Sequence, residues 1–144
     1  MDIFAFLYVT RGEPYQSGTC VNLSMDETWV GRISNHLNPD MAFTNAFISH
    51  QHFVIRKEQE KAVIYDLGSR NGTEINGLRL TPHTPYPLNN FDIIKLAEGA
   101  AVLHFSYVFA EQTLEIQPLS ISRQLEIREL PPTVRWEKIV GLAS

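Results

Sequence analysis

What most constrains this chain is the punctuation of its apolar segments. Seven short stretches rich in β-branched and aromatic residues run from Ile3 to Val9, Thr19 to Leu23, Thr28 to Gly31, His52 to Lys57, Lys61 to Leu67, Phe91 to Leu96 and Ala101 to Phe109. Gly, Pro, Asn and Asp interrupt them at the spacing of sandwich or barrel hairpins rather than of strand–helix–strand units. An all-β domain is therefore expected. Two segments break the rhythm. Ser34 to Ile48 is rich in Asn, carries Pro39 and Asp40 as turn signals and keeps no period-2 pattern, so it reads as one long loop, a kind that is often functional. Leu80 to Asn90 contains Pro82, Pro85 and Pro87, which exclude a central strand.

After Phe109 the character changes. Thr113 to Leu119 and Gln124 to Leu130 each alternate apolar and polar positions and read as strands of one hairpin across Ser120 to Arg123. Pro131 and Pro132 stop any strand, and the following residues suit a short amphipathic turn of helix. The expected organisation is a domain over residues 1–109 and a C-terminal extension over 110–144, either accessory strands or a linker to a further domain.

Composition excludes several function classes. A net charge of −4 and a pI near 5.7 argue against a broad nucleic-acid surface, so any anion must be held locally. Cys20 is the sole cysteine, which rules out an intrachain disulfide framework and favours a reducing, cytoplasmic setting; it reads as a small half-buried hydrophobe. No apolar run approaches the roughly 20 residues of a membrane-spanning helix, so no membrane partner is expected.

The polar clusters Val30 to Arg32, Ile48 to His52 and Asp66 to Gly77 each sit at the end of an expected strand, and strand-end loops of a sandwich gather on one edge. Arg32 offers a planar fork of donors, Ser49 a hydroxyl, and Asn71 an amide able to pair with an extended peptide's main chain. His50 and Arg70 add charge or hydrogen bonds. This donor-rich, acid-poor set suits a phosphorylated side chain, which brings about −1.5 to −2 charge and strong acceptor oxygens.

The ordered set formed by Gly31-Arg32, a long loop, Ser49-x-x-His52 and Asp66-Leu-Gly-Ser-Arg-Asn-Gly-Thr73 followed by Ile75-Asn-Gly77 resembles the forkhead-associated (FHA) domain, over about residues 4–109. The resemblance implies a two-sheet β-sandwich of the FHA/SMAD type, with about eleven strands, that binds phosphothreonine peptides across loops at one end. By motif position, Arg32 and Ser49 contact the phosphate, Asn71 the peptide backbone, and Gly31, His52 and Gly72 shape the site. His50 and Arg70 fall where members of the family add phosphate contacts. The sequence departs from the pattern in two places. His50 stands where arginine is common and is only partly charged near neutrality, and Asn90-Phe91 precedes Asp92 where Gly-Asp is usual.

The expected function is thus a non-catalytic signalling module for a Thr-phosphorylated protein or peptide, with no cofactor. A sandwich scaffold that self-associates through the C-terminal extension and has lost phosphate recognition is the competing reading. Ser49 and His52 invite a hydrolase dyad, but no nucleophile elbow surrounds Ser49. His50 and His52 share one strand face in an extended chain and offer two metal ligands, yet His36, His83 and His104 are scattered, so no metal is expected. Trp29 and Tyr65 read as core residues, Asn76-Gly77 as a plain type I′ turn, and Asn71-Gly72 as turn and peptide clamp together.

Overall fold

The computed structural model describes residues 2–36 and 38–108; the strands and helical turn expected in 110–144 lie outside the described residues. The described chain is a sandwich of eleven strands in two sheets: β1 (Ala5–Arg11), β2 (Thr19–Leu23), β3 (Glu27–Arg32), β4 (Met41–Phe43), β5 (Phe53–Glu58), β6 (Lys61–Asp66), β7 (Thr73–Ile75), β8 (Leu78–Arg79), β9 (Tyr86–Pro87), β10 (Ile93–Leu96) and β11 (Ala101–Tyr107). One sheet runs β2-β1-β11-β10-β7-β8 and the other β4-β3-β5-β6-β9.

Alternation sorts the side chains. On β1, Ala5, Leu7 and Val9 point inward, and on β11 Ala101, Leu103 and Phe105 do the same; Phe53 and Ile55 of β5 and Ala62 and Ile64 of β6 meet them from the opposite sheet. At roughly 1.5–3 kcal/mol for each large apolar side chain removed from water, this shared core is what holds the two sheets face to face.

Four expectations need correction. The segment Ser34 to Ile48 is not one loop, because Met41–Phe43 pairs parallel to β3 in the register Val30↔Met41, Gly31↔Ala42 and Arg32↔Phe43. Met41 and Phe43 are fully buried and anchor the segment; three residues are too few for a visible period. Trp29 and Tyr65 are half-buried on the outer face of their sheet, since the alternation of β3 turns Thr28 and Val30 inward. They flank Val54, the cross-strand partner of both, and bury it from outside. Cys20 is exposed on β2 rather than half-buried. The fourth correction concerns the two Asn-Gly pairs. Asn76 (φ 52°) and Gly77 (φ 87°) form the expected tight turn of the β7–β8 hairpin. Asn71 lacks the positive φ such a turn demands, so Asn71-Gly72 is no hairpin turn.

Asn76 also does more than turn the chain. Its Nδ2 donates to Asp92 Oδ1 at 2.9 Å and its Oδ1 accepts the Ile93 N–H at 2.9 Å, tying the hairpin to β10. Phe91, at the position of the usual glycine, holds φ 72°. This is an unfavourable left-handed conformation for an aromatic residue. The strain falls in the turn before β10, away from the loops described next.

Candidate functional site

Three segments converge at one edge of the sandwich: the end of β3, the β4–β5 connection and the β6–β7 connection. Backbone bonds hold the first two together. The Arg32 N–H donates to Ser49 O at 2.9 Å and the His52 N–H to Val30 O at 3.0 Å. This approach depends on Gly31, where a Cβ would lie 2.0 Å from the His50 carbonyl oxygen. Gly31 therefore shapes the site through missing volume.

His52 binds the second segment to the third. It is fully buried, and its Nδ1 accepts the Ser49 N–H at 3.1 Å. Nε2 must then carry the proton, which it donates to Gly72 O at 2.8 Å. Burial pushes the imidazole below its ordinary value, with the Gly72 carbonyl and the Asp66 charge pulling weakly the other way. The ring is a neutral strut with both nitrogens spent, free for neither metal nor general base. Leu67 adds a backbone bond, donating to His52 O at 3.0 Å.

The β6–β7 connection is organised by a residue the sequence reading overlooked. The Asp66 carboxylate is buried and accepts from Gly68 N (2.9 Å), Ser69 N (3.1 Å), Ser69 Oγ (2.6 Å) and Thr73 Oγ1 (2.7 Å). Ser69 Oγ in turn accepts the Gly72 N–H at 3.1 Å. Asp66 two residues ahead of Gly68-Ser69 is an Asx-turn signal, and that signal was available in the sequence.

On this frame stand the expected ligand groups. Ser49 Oγ accepts the Arg70 N–H at 3.0 Å, which leaves its own hydroxyl proton to donate outward. Asn71 Nδ2 donates to Phe47 O at 2.9 Å; its Oδ1 and second amide proton have no partner among the described residues. The Phe47 side chain beside it is 66% exposed. Arg32 is half-buried: Nη2 donates to His50 Nε2 at 3.0 Å, while Nε is buried with no acceptor among the described residues. A guanidinium only donates, so His50 carries its proton on Nδ1, which faces Arg32 O at 3.3 Å. His50 is thus a partner of Arg32 and has no spare donor in this arrangement. The Arg70 side chain is exposed.

A further cation, absent from the sequence reading, lies at the same edge. The Arg79 guanidinium rests over Gly72, with Cζ 2.6 Å from where a Cβ would stand. Its cross-strand neighbour is Glu74, yet the two form no ion pair. Gly72 (φ 85°) thus serves both its backbone conformation and this stacking. Arg32, Ser49, His50, Arg70 and Asn71 are therefore gathered on one rim, with Gly31, His52 and Gly72 beneath them. Among the described residues no group of three His, Cys, Asp or Glu side chains is placed to hold a metal ion.

The family model of the FHA domain matches residues 28–97, the span that contains every residue of this rim. An FHA domain-containing protein of Arabidopsis thaliana is 40% identical over 74 residues, covering 51% of this chain and 19% of the relative. The chain spans only 19% to 29% of the length of the curated relatives it matches. Among solved structures, the FHA domain of an Arabidopsis thaliana hypothetical protein superposes with a TM-score of 0.66 at 30% identity, covering 75% of this chain and 88% of that one. A second, from a structural and functional study of phosphothreonine-dependent FHA domain interactions, gives 0.58 at 22% identity, covering 81% and 99%; at that identity the likeness is one of fold.

Proposed function

The chain belongs to the FHA-domain family, and on that premise we propose that its loop edge binds a phosphothreonine-containing segment of a partner protein, without catalysis. The observation that carries this reading is Arg32, whose buried Nε lacks an acceptor among the described residues. Leaving a charged donor in that state costs on the order of 1–3 kcal/mol, and a phosphate oxygen removes the cost while forming a charge-assisted bond. The free Ser49 hydroxyl proton supplies a second donor to the same anion, and Arg70 and Arg79 add positive potential with no ion-pair partner among the described residues.

Asn71 completes the capture. Its unused carbonyl oxygen and amide proton match one N–H and one C=O of an extended main chain, the pattern that fixes a peptide's register without reading its side chains. The frame of His52 and Asp66 holds all three loops in place beforehand, which lowers the ordering cost of binding. In support, one solved domain of like fold takes part in phosphothreonine-dependent interactions.

Calorimetry of Arg32→Ala against a phosphothreonine peptide bound by the native chain tests the assignment. Binding is expected to fall below detection while circular dichroism stays native. Unchanged affinity in a folded variant would place the anion elsewhere.

A further inference from the structure

Next to His50, the partner of Arg32, the outer face of β3 borders a cleft of about 270 Å³ lined by Trp29, Val30, Pro39, Asp40, His50 and Gln51, among others. It is smaller than the roughly 300–1,000 Å³ typical of small-molecule sites, which fits one long side chain better than a free ligand. Its aromatic wall is held from two directions. Trp29 Nε1 donates to Glu27 Oε1 at 3.1 Å, and the Trp29 N–H donates to Asp40 Oδ2 at 2.8 Å.

The chemistry of the cleft is opposite to that of the neighbouring rim. Among the described residues no lysine or arginine lines it. Asp40 is exposed, and the single bond to Trp29 N–H leaves Oδ1 without a partner among the described residues. A half-exposed indole face beside a free carboxylate oxygen favours a cation, and a planar guanidinium most of all. His50 lines the cleft and its Nε2 accepts from Arg32 Nη2 at 3.0 Å, so the cleft adjoins the anion-holding residues and a chain seated at Arg32 has it as a neighbour.

We propose that this cleft receives an arginine, or less tightly a lysine, of the same phosphorylated segment, stacked on Trp29 and paired with Asp40. The proposal rests on the phosphothreonine reading of the adjacent rim. Specificity then comes from a charge pair of opposite order: the anion is drawn to Arg32 and repelled by Asp40, which sets the direction of the chain as well as its register.

Degenerate phosphothreonine peptide pools, each with one flanking position set to Arg, citrulline, Ala, Leu or Glu, test this by fluorescence polarisation with the full chain. At one position the Arg pool is expected to bind about five-fold tighter than the Ala pool, with citrulline falling back to Ala and the gain shrinking at high salt. Asp40→Asn keeps an acceptor for the Trp29 N–H; it is expected to erase the Arg gain and leave the Ala pool unchanged. Citrulline equal to Arg, or Leu preferred over both, overturns the cation subsite while the phosphothreonine reading stands. Failure of every phosphorylated pool to exceed its unphosphorylated control overturns both.

Discussion

Replacing Gly31 by alanine probes how the site is assembled, because the structure leaves the new methyl no room. Gly31 does not use the left-handed region, so alanine meets no backbone penalty and the whole effect is one of contact. The added Cβ stands 2.0 Å from the His50 carbonyl oxygen, 2.6 Å from its carbon and 2.9 Å from Ser49 O. Carbon–oxygen contacts settle at about 3.3 Å or more, so the His50 carbonyl must retreat by about 1.3 Å. The same stretch carries the bonds Arg32 N–H to Ser49 O and His52 N–H to Val30 O. Disturbing two such bonds at about 1–3 kcal/mol each, on top of overpacking of similar size, points to a loss of at least about 3 kcal/mol. Urea denaturation followed by circular dichroism reads the free energy, and a thermal melt by the same signal is expected to show the melting temperature drop by more than about 10 °C. Phosphopeptide affinity should fall as well under conditions where the variant is still folded, since Ser49 and Arg32 lose their spacing. A stability change under about 0.5 kcal/mol would refute the view that the β4–β5 connection is pressed onto β3.

Further outcomes follow from the frame beneath the rim. His52 has a lowered pKa in the folded state, so its contribution is complete above the ordinary value of 6.5. Below that pH the unfolded chain takes up a proton the folded one resists. Stability should therefore decline as pH falls through and below 6.5, and His52→Gln, itself less stable, should flatten that part of a pH-dependent denaturation series. Asp66→Ala removes an acceptor from four bonds and should cost about 3 kcal/mol in chemical denaturation while weakening phosphopeptide binding, because the Ser69–Gly72 loop loses its anchor. Gln59, at φ 59° in the exposed β5–β6 turn, should gain roughly 1 kcal/mol on replacement by glycine, measured the same way.

Much of this molecule was legible from residue pattern alone, and the failures have physical causes. The long strands β1, β5, β6 and β11 announce themselves as β-branched and aromatic runs bounded by turn residues; β1 also alternates, whereas β5 and β6 each bury three residues in a row. Met41–Phe43 escapes because three residues cannot display a period, although both ends are core. Trp29, Tyr65 and Cys20 were misplaced by reasoning from residue type rather than from the phase of the strand, which decides the face. The rim residues Arg32, Ser49, His50, Arg70 and Asn71 are brought together by the fold, but sequence could not show that His50 is committed to Arg32. Nor could it show that Arg79 leaves Glu74 to lie over Gly72, since that choice depends on the open face of a glycine across the hairpin. The two Asn-Gly pairs, alike in sequence, differ because Asn71 is used for its amide and Asn76 for its turn and its amide together.

Everything proposed for this rim depends on its reading a phosphorylated threonine. A heteronuclear NMR titration of the chain with a single peptide in its phosphothreonine, phosphoserine and unphosphorylated forms probes that dependence residue by residue. The phosphothreonine peptide is expected to shift the amides of Arg32, Ser49, His50 and Arg70 through Gly72, and the unphosphorylated form to leave them in place. Equal shifts with and without phosphate, or phosphate-dependent shifts confined to another edge of the sandwich, would contradict it.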